Sequence, residues 1–217
     1  MIAAIMPCRG RAEQTVRNVK RLLATAGMEQ GPETWQLICM VDRDPAVMGA
    51  LAQSDLPIWW METTRPGYWN ALAQATDYWR EFDLIVNLAN DLLPGQHWLA
   101  RAYAAYQETF DQYGLLGFND GHHETDHSCH FLIDRDLLTY LGGWPVWYQH
   151  NFGDTELCQR TIALGLYAKA PWATLYHDHV YFGGADDAVY QEGRAQAERD
   201  QRLFNERKAR GWPTISP

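Results

Sequence analysis

Asp91 ends the apolar run Leu84-Ile85-Val86-Asn87-Leu88 and is followed by Leu92-Leu93-Pro94-Gly95. A carboxylate at the end of a buried strand stands at the edge of a sheet, where a hard cation such as Mg²⁺ or Mn²⁺ can be shared with the phosphates of a ligand. The same position also suits a turn or helix cap. Asp154, in Asn151-Phe152-Gly153-Asp154-Thr155-Glu156, opens a helical pattern, where it either caps backbone amides or faces a pocket as a general base. Because an unperturbed carboxyl titrates near pH 4, base work there requires burial or a negative neighbour to raise it. Cys8-Arg9-Gly10-Arg11 offers backbone N–H groups and two guanidinium forks to a diphosphate, although no G-x-G-x-x-G or Walker pattern is present. His177-Asp178-His179 follows another apolar segment and supplies either metal-ligating imidazoles or packed hydrogen-bonding residues.

His123-Glu124-Thr125-Asp126-His127 satisfies H-E-x-x-H, in which two histidines one helical turn apart bind zinc and the glutamate activates water. That chemistry needs a helix buried on one side. The segment instead follows Asn119-Asp120-Gly121, lacks apolar residues at helical spacing and runs into the strand-like Cys129 to Ile133. No H-x-x-G-x-x-H extension follows, and the position about 20 residues on is Trp147 rather than glutamate. A solvated histidine-rich loop beside the active site is the alternative to a zinc hydrolase.

The elements that must position these residues are legible from periodicity. Ile2–Met6, Gln36–Val41, Ile58–Met61 and Leu84–Leu88 are strand-like, and helices follow from Val16, from Pro45 and from Pro66. The helix from Pro66 places Tyr68, Leu72, Ala75 and Trp79 on one face. This alternation predicts an α/β domain with a largely parallel sheet, whose ligands gather at the carboxyl ends of the strands. After a helix around Trp98, Ala102 and Tyr106 the pattern becomes mixed, with strands at Leu115–Phe118 and Cys129–Ile133 flanking polar 119–128. A helix over Asp154–Leu164 follows, and then a mostly polar one over 187–210 that packs through Val189, Leu203 and Phe204.

Composition narrows the function classes. With 18 Lys+Arg against 27 Asp+Glu the net charge is −9, which argues against a broad polynucleotide-binding surface while leaving room for a local basic pocket. Four scattered cysteines (Cys8, Cys39, Cys129, Cys158) suggest neither a zinc ribbon nor a disulfide framework. No apolar run is long enough to span a membrane and the N-terminus does not read as a signal peptide, so the expected compartment is cytoplasmic.

The order of these motifs resembles the family-two glycosyltransferases with a GT-A fold. The matching pieces are Met6-Pro7-Cys8-Arg9-Gly10-Arg11, Val41-Asp42-Arg43-Asp44, Arg65-Pro66-Gly67-Tyr68-Trp69-Asn70-Ala71-Leu72 and Asn90-Asp91-Leu92-Leu93-Pro94-Gly95. Further on, Leu141-Gly142-Gly143-Trp144 precedes Gly153-Asp154-Thr155-Glu156-Leu157-Cys158-Gln159-Arg160. The resemblance implies one three-layer, Rossmann-like domain over 1–217 with a mostly parallel mixed sheet between helices. It further implies a nucleotide-sugar half at 1–95, an acceptor half at 96–185 and a C-terminal helix at 186–217. The activity implied is a metal-dependent, inverting transfer of a hexose from a nucleotide-sugar donor, a UDP-sugar first, to an acceptor hydroxyl, with Mn²⁺ or Mg²⁺ as cofactor. On this resemblance Pro7, Arg9, Arg11, Asp42, Arg65, Asn70 and Asn90 serve the donor, with Asp42 on the nucleoside. Asp91 binds the metal with His177 or His179, Asp154 is the base, and Trp144, Trp147 and Glu156 serve the acceptor. Trp144, Trp147 and Tyr148 form either a stacking wall or core. Two places depart from the family pattern: Leu88-Ala89-Asn90 followed by Asp91 stands where a D-x-D pair is usual, so one expected acid is missing, and Gly153 stands where many relatives carry glutamate. The missing acid leaves open a non-catalytic protein that binds nucleotide sugars or carbohydrate.

Overall fold

Successive residues of the first strand face two different cores. In β1 (Ile2–Cys8), Ile2, Ala4, Met6 and Cys8 join one apolar cluster while Ala3 and Ile5 join another, which is the period of two that a strand imposes. The next strand, β2 (Trp35–Val41), divides in the same way, with Leu37 and Cys39 on one side and Ile38 and Met40 on the other. Strands buried on both faces require helices on both, and these sequences are accordingly almost continuously apolar. The computed structural model describes residues 1–31, 33–123, 126–178 and 186–212.

Two further strands, β3 (Trp59–Glu62) and β4 (Leu84–Asn87), extend the parallel half on either side of the β1–β2 pair. The second half adds β5 (Leu92–Pro94), β6 (Leu115–Asn119), β7 (Phe131–Asp134) and β8 (Tyr167–His177), completing a sheet of order β3-β2-β1-β4-β7-β6-β8-β5. The strand β7 runs antiparallel to both β4 and β6, whereas β6 and β8 are parallel. One face is covered by α1 (Ala12–Thr25), α2 (Pro45–Ala52) and α4 (Trp98–Thr109). The other is covered by α3 (Tyr68–Tyr78), α5 (Arg135–Tyr140), α6 (Gly153–Ala163) and α7 (Ala188–Ala209). The result is a three-layer α/β arrangement with a mixed, mostly parallel sheet. No helix among the described residues is long and apolar enough to cross a membrane.

Three elements lie outside the expectations from periodicity. Leu92-Leu93-Pro94 shows no strand pattern but forms β5, the short helix α5 has no recognisable pattern, and β8 is an eleven-residue strand despite Pro171 within it. The strand expected at Cys129–Ile133 begins two residues later, at Phe131. The polar C-terminal helix buries more polar residues than its sequence suggests. Phe204 is buried and Leu203 packs against the same core, as expected, while Tyr190, Gly193, Asp200 and Arg207 are buried beside them, with Tyr190 bonded to Asp91, Asp200 to the segment entering α6 and Arg207 to Glu156 on α6.

Candidate active site

Asp91 follows β4 at the carboxyl edge of the sheet and is 4% exposed. Its Oδ2 accepts hydrogen bonds from Arg11 Nη1 at 2.8 Å and from the Tyr190 hydroxyl. The antiparallel register of β5 on β8 sets Leu92 opposite His177, and this brings His177 Nε2 to 3.4 Å from Asp91 Oδ1. That oxygen is buried and has no hydrogen-bond partner within normal geometry among the described residues. Burial pushes the Asp91 carboxyl up, but the adjacent His177 imidazole, the Tyr190 hydroxyl and the Arg11 guanidinium outweigh it and hold the group well below the usual carboxylate range. Arg11 comes from the residue before α1, in the left-handed region at φ 57°. Its guanidinium lies 4.2 Å over the Tyr190 ring, its Nε bonds Asp187, and its Nη2 is buried without a partner among the described residues. Left-handed backbone at a non-glycine residue collects at sites where a side chain must be aimed.

Asp154 approaches from the other side of the sheet. It is the second residue of α6, whose N-cap is Phe152 at φ 68°, so the capping role does not fall to Asp154. Its Oδ1 accepts from Thr155 N at 2.8 Å, and its Oδ2 lies 3.6 Å from His127 Nε2. The segment leading into α6 is held by Asp200 of α7, whose fully buried carboxylate accepts from the amides of Gln149, His150 and Asn151 at 2.8–3.0 Å. Gly153 is explained by contact: a Cβ there would sit 2.4 Å from the Trp69 indole, so the glutamate usual at this position does not fit.

Asn90 has an equally local explanation. Its Nδ2 donates to Thr15 Oγ1 at 3.0 Å and to the carbonyl of Arg9 at 3.3 Å, clamping the β1–α1 loop, and a carboxylate could donate to neither. Asp42 accepts from Gly67 N at 2.9 Å, where Gly67 has φ 102°, and is 8% exposed.

One cleft of about 770 Å³ joins these groups. Asp91 and Asp154 both line it, together with Pro7, Arg9, Arg11, Asp42, Asn90 and His177. Arg65 and Asn70 do not: Arg65 is exposed, and Asn70 bonds back to the Pro66 carbonyl at 2.8 Å. The expected acceptor wall is corrected. Trp144 is 4% exposed, stacked on Phe131, with its Nε1 on Thr76 Oγ1 at 2.8 Å, because the left-handed Gly142-Gly143 turn directs it into the core. Trp147 and Tyr148 surround Glu156, which is fully buried and paired with Arg160 and Arg207, so this group braces α6 against α7 from behind the cleft. His179 and Glu124 lie outside the described residues.

Several lining residues escaped sequence reasoning. Tyr190, Glu192 and Gly193 come from α7, and His150 and Asn151 from the segment before α6. The stripe Tyr190, Gly193, Asp200, Phe204, Arg207 does keep helical spacing, but its polar members conceal it from any hydropathy reading. His123 and His127 also line the cleft, on irregular backbone rather than the helix a zinc hydrolase requires. With Cys129 they place one ligand atom each within 4.8 Å of one another. The Cys129 thiol is pushed up by burial and by the neighbouring Asp154 and Asp120 carboxylates.

No protein-family model and no curated protein sequence matches the chain. Solved structures do. The mannosyltransferase PcManGT from Pyrobaculum calidifontis, solved with GDP-Man and Mn²⁺, superposes with a TM-score of 0.71 at 14% identity over 100% of this chain and 65% of its own. Glucosyl-3-phosphoglycerate synthase from Mycobacterium tuberculosis, solved with Mn²⁺, UDP and glucosyl-3-phosphoglycerate, gives 0.63 at 14% identity, covering 89% of this chain and 75% of that one. Staphylococcus aureus TarS 1-349 with UDP gives 0.60 at 12% identity, over 81% of this chain and 59% of that one. At this identity the likeness is one of fold, and the fold is that of the GT-A glycosyltransferases. The chain spans about two thirds of the mannosyltransferase and 59% of the TarS fragment.

Proposed function

We propose that the chain is a metal-dependent, inverting glycosyltransferase that moves a sugar from a nucleoside-diphosphate donor, a UDP-sugar first, to an acceptor hydroxyl. The observation that carries this reading is that Asp91 and Asp154, brought from distant parts of the sequence, line the same cleft. Support comes from the GT-A-like fold and from neighbours solved with GDP-Man or UDP and with Mn²⁺.

Residues 1–95 serve the donor in this reading, with Asp42 on the nucleoside and Arg11 on the diphosphate. The buried Nη2 of Arg11, without a partner among the described residues, is a donor suited to a phosphate oxygen. The residues at Asp91 fit a divalent cation: a buried carboxylate oxygen lacking a hydrogen-bond partner faces an imidazole nitrogen at 3.4 Å. Asp91 and His177 would hold Mn²⁺ or Mg²⁺ there, and the cation would supply charge neutralisation for the departing diphosphate. Residues 96–185 serve the acceptor. Asp154 takes the acceptor's hydroxyl proton, the oxygen bonds to the anomeric carbon, and the bond from that carbon to the diphosphate oxygen breaks on the opposite face, which inverts the centre. The C-terminal helix contributes Tyr190 and Asp187, which hold Arg11 and Asp91 in register.

The test is a panel of nucleotide sugars with Mn²⁺ or Mg²⁺, read as melting shift and as released nucleoside diphosphate. Donor at about 100 times its Kd stabilises the native state by about 2.7 kcal/mol. Asp91→Asn loses the metal-linked part of that shift. Asp154→Asn keeps donor binding and loses transfer by about 10²- to 10⁴-fold. Equal shifts in wild type and Asp91→Asn remove Asp91 as the metal ligand, and normal transfer by Asp154→Asn removes it as the base. Donor stabilisation in the wild type without any turnover identifies a binding protein instead.

A further inference from the structure

The histidines of the H-E-x-x-H string are left unused by this mechanism, yet they converge with a cysteine that the string does not contain. His127 Nε2 lies 3.7 Å from Cys129 Sγ, and the ligand atoms of His123, His127 and Cys129 all fall within 4.8 Å of one another. Metal–ligand lengths of about 2.0–2.1 Å to nitrogen and 2.3 Å to sulfur give a tetrahedral N-to-S edge of about 3.6 Å. The His127–Cys129 separation is thus close to that of a formed site.

His123 is also held from behind by Asp120. Asp120 is fully buried, its Oδ1 accepts from the amides of His122 and His123 at 3.0 and 2.9 Å, and its Oδ2 bonds His123 Nδ1 at 2.7 Å. A carboxylate on Nδ1 fixes the tautomer and makes Nε2 the ligating nitrogen, the arrangement that orients histidines on metals. On the far side, Asp154 Oδ2 stands 3.6 Å from His127 Nε2, next to the three-ligand cluster.

We propose that His123, His127 and Cys129 form a site for a thiophilic divalent cation of the Zn²⁺ class, separate from the hard-cation pocket at Asp91, with its fourth position open beside Asp154. The thiol gives its proton to solvent as the sulfur–metal bond forms. Thiolate and imidazole select Zn²⁺ over Mg²⁺ and Mn²⁺, so the two pockets sort cations by softness. A cation here pairs with the charge of the neighbouring Asp154, so Zn²⁺ inhibits transfer. That inhibitory consequence rests on Asp154 being the base, whereas the binding site does not.

The experiment titrates the metal-free full chain with Zn²⁺ alone against a chromophoric chelator, and with Co²⁺ for its sulfur-to-metal charge-transfer band. One Zn²⁺ binds per chain, and the Co²⁺ band appears in wild type and Asp91→Asn. Cys129→Ser loses the band, and Cys129→Ser and His127→Gln each lose at least about 100-fold in Zn²⁺ affinity. Asp120→Asn loses about 10- to 100-fold. Circular dichroism establishes that each variant is folded; should Cys129→Ser unfold, His127→Gln carries the test. No band in the wild type, a band surviving in Cys129→Ser, or Zn²⁺ affinity unchanged in His127→Gln overturns the site. Zn²⁺ that binds without slowing transfer overturns only the inhibitory role, and a wild type that transfers no sugar but still binds Zn²⁺ at Cys129 overturns the glycosyltransferase reading and leaves the site standing.

Discussion

Arg207 clasps Glu156 through a two-pronged pair, Nε to Oε2 at 2.8 Å and Nη2 to Oε1 at 2.7 Å, between side chains that are 8% and 0% exposed. The pair joins α7 to α6 two residues beyond Asp154, and the guanidinium also lies 3.9 Å over the Trp147 ring. A fork of this geometry is among the stronger charge-assisted contacts. Removing Arg207 leaves a buried carboxylate that keeps, among the described residues, Arg160 and Tyr148 as its charged and hydroxyl partners. Arg207→Ala is therefore expected to lower the unfolding free energy by about 3–5 kcal/mol, read from urea titrations. A loss below about 1 kcal/mol would mean that water reaches Glu156 and that the brace is not formed in solution.

Asp200 makes a comparable claim on the cleft itself. One carboxylate accepts three successive amides, so its removal leaves three part-buried donors without their acceptor and frees the segment 149–151 that enters α6. Asp200→Ala is expected to destabilise by roughly 3 kcal/mol. Asp200→Asn, which retains one acceptor oxygen, loses less. If Asp154 is the base, a displaced segment shows as a fall in kcat with donor KM little changed. Equal losses of stability from the alanine and asparagine variants would refute the capping account.

How much of this was legible in the sequence depended on whether the information was local. The end of the Leu84–Leu88 run located Asp91 at the sheet edge, because a strand buried on both faces is apolar throughout and stops where the chain meets the cleft. Its partner His177 was a bare candidate, since the contact requires β5 to pair with β8, and a three-residue strand shows no alternation while Pro171 interrupts the pattern of β8. The tryptophans failed differently. Trp144 and Trp147 sit in a stretch whose composition suits a wall or a core equally, and only the Gly142-Gly143 turn and the buried Glu156 hub decide for the core. The inward stripe of α7 was hidden because three of its residues are Gly193, Asp200 and Arg207.

The pH dependence of stability isolates a single buried imidazole. His130 is 2% exposed, with Nδ1 on the Asn87 carbonyl at 3.2 Å and its ring 4.9 Å from that of His177. Burial, and then the charge of His177, push its pKa down to about 3, against about 6.5 for an unfolded histidine. Above about pH 6.5 neither state binds the proton and His130 adds no slope. Below it the unfolded chain takes up a proton that the native state refuses, so stability falls on acidification by up to about 1.4 kcal/mol per pH unit until about pH 3. The imidazole of His150, also held down by burial, acts with the same sign, whereas His123, raised by its bond to Asp120, acts above pH 6.5 and with the opposite sign. Asp91 and Asp120, both depressed against the pull of burial, begin to contribute only as pH falls below about 4. Urea midpoints of wild type and His130→Leu between about pH 4.5 and 6 therefore separate the imidazole from those carboxylates. The variant is expected to start less stable, having lost the bond to Asn87, and to show the shallower slope. Parallel slopes in the two proteins would mean that His130 is protonated in the native state.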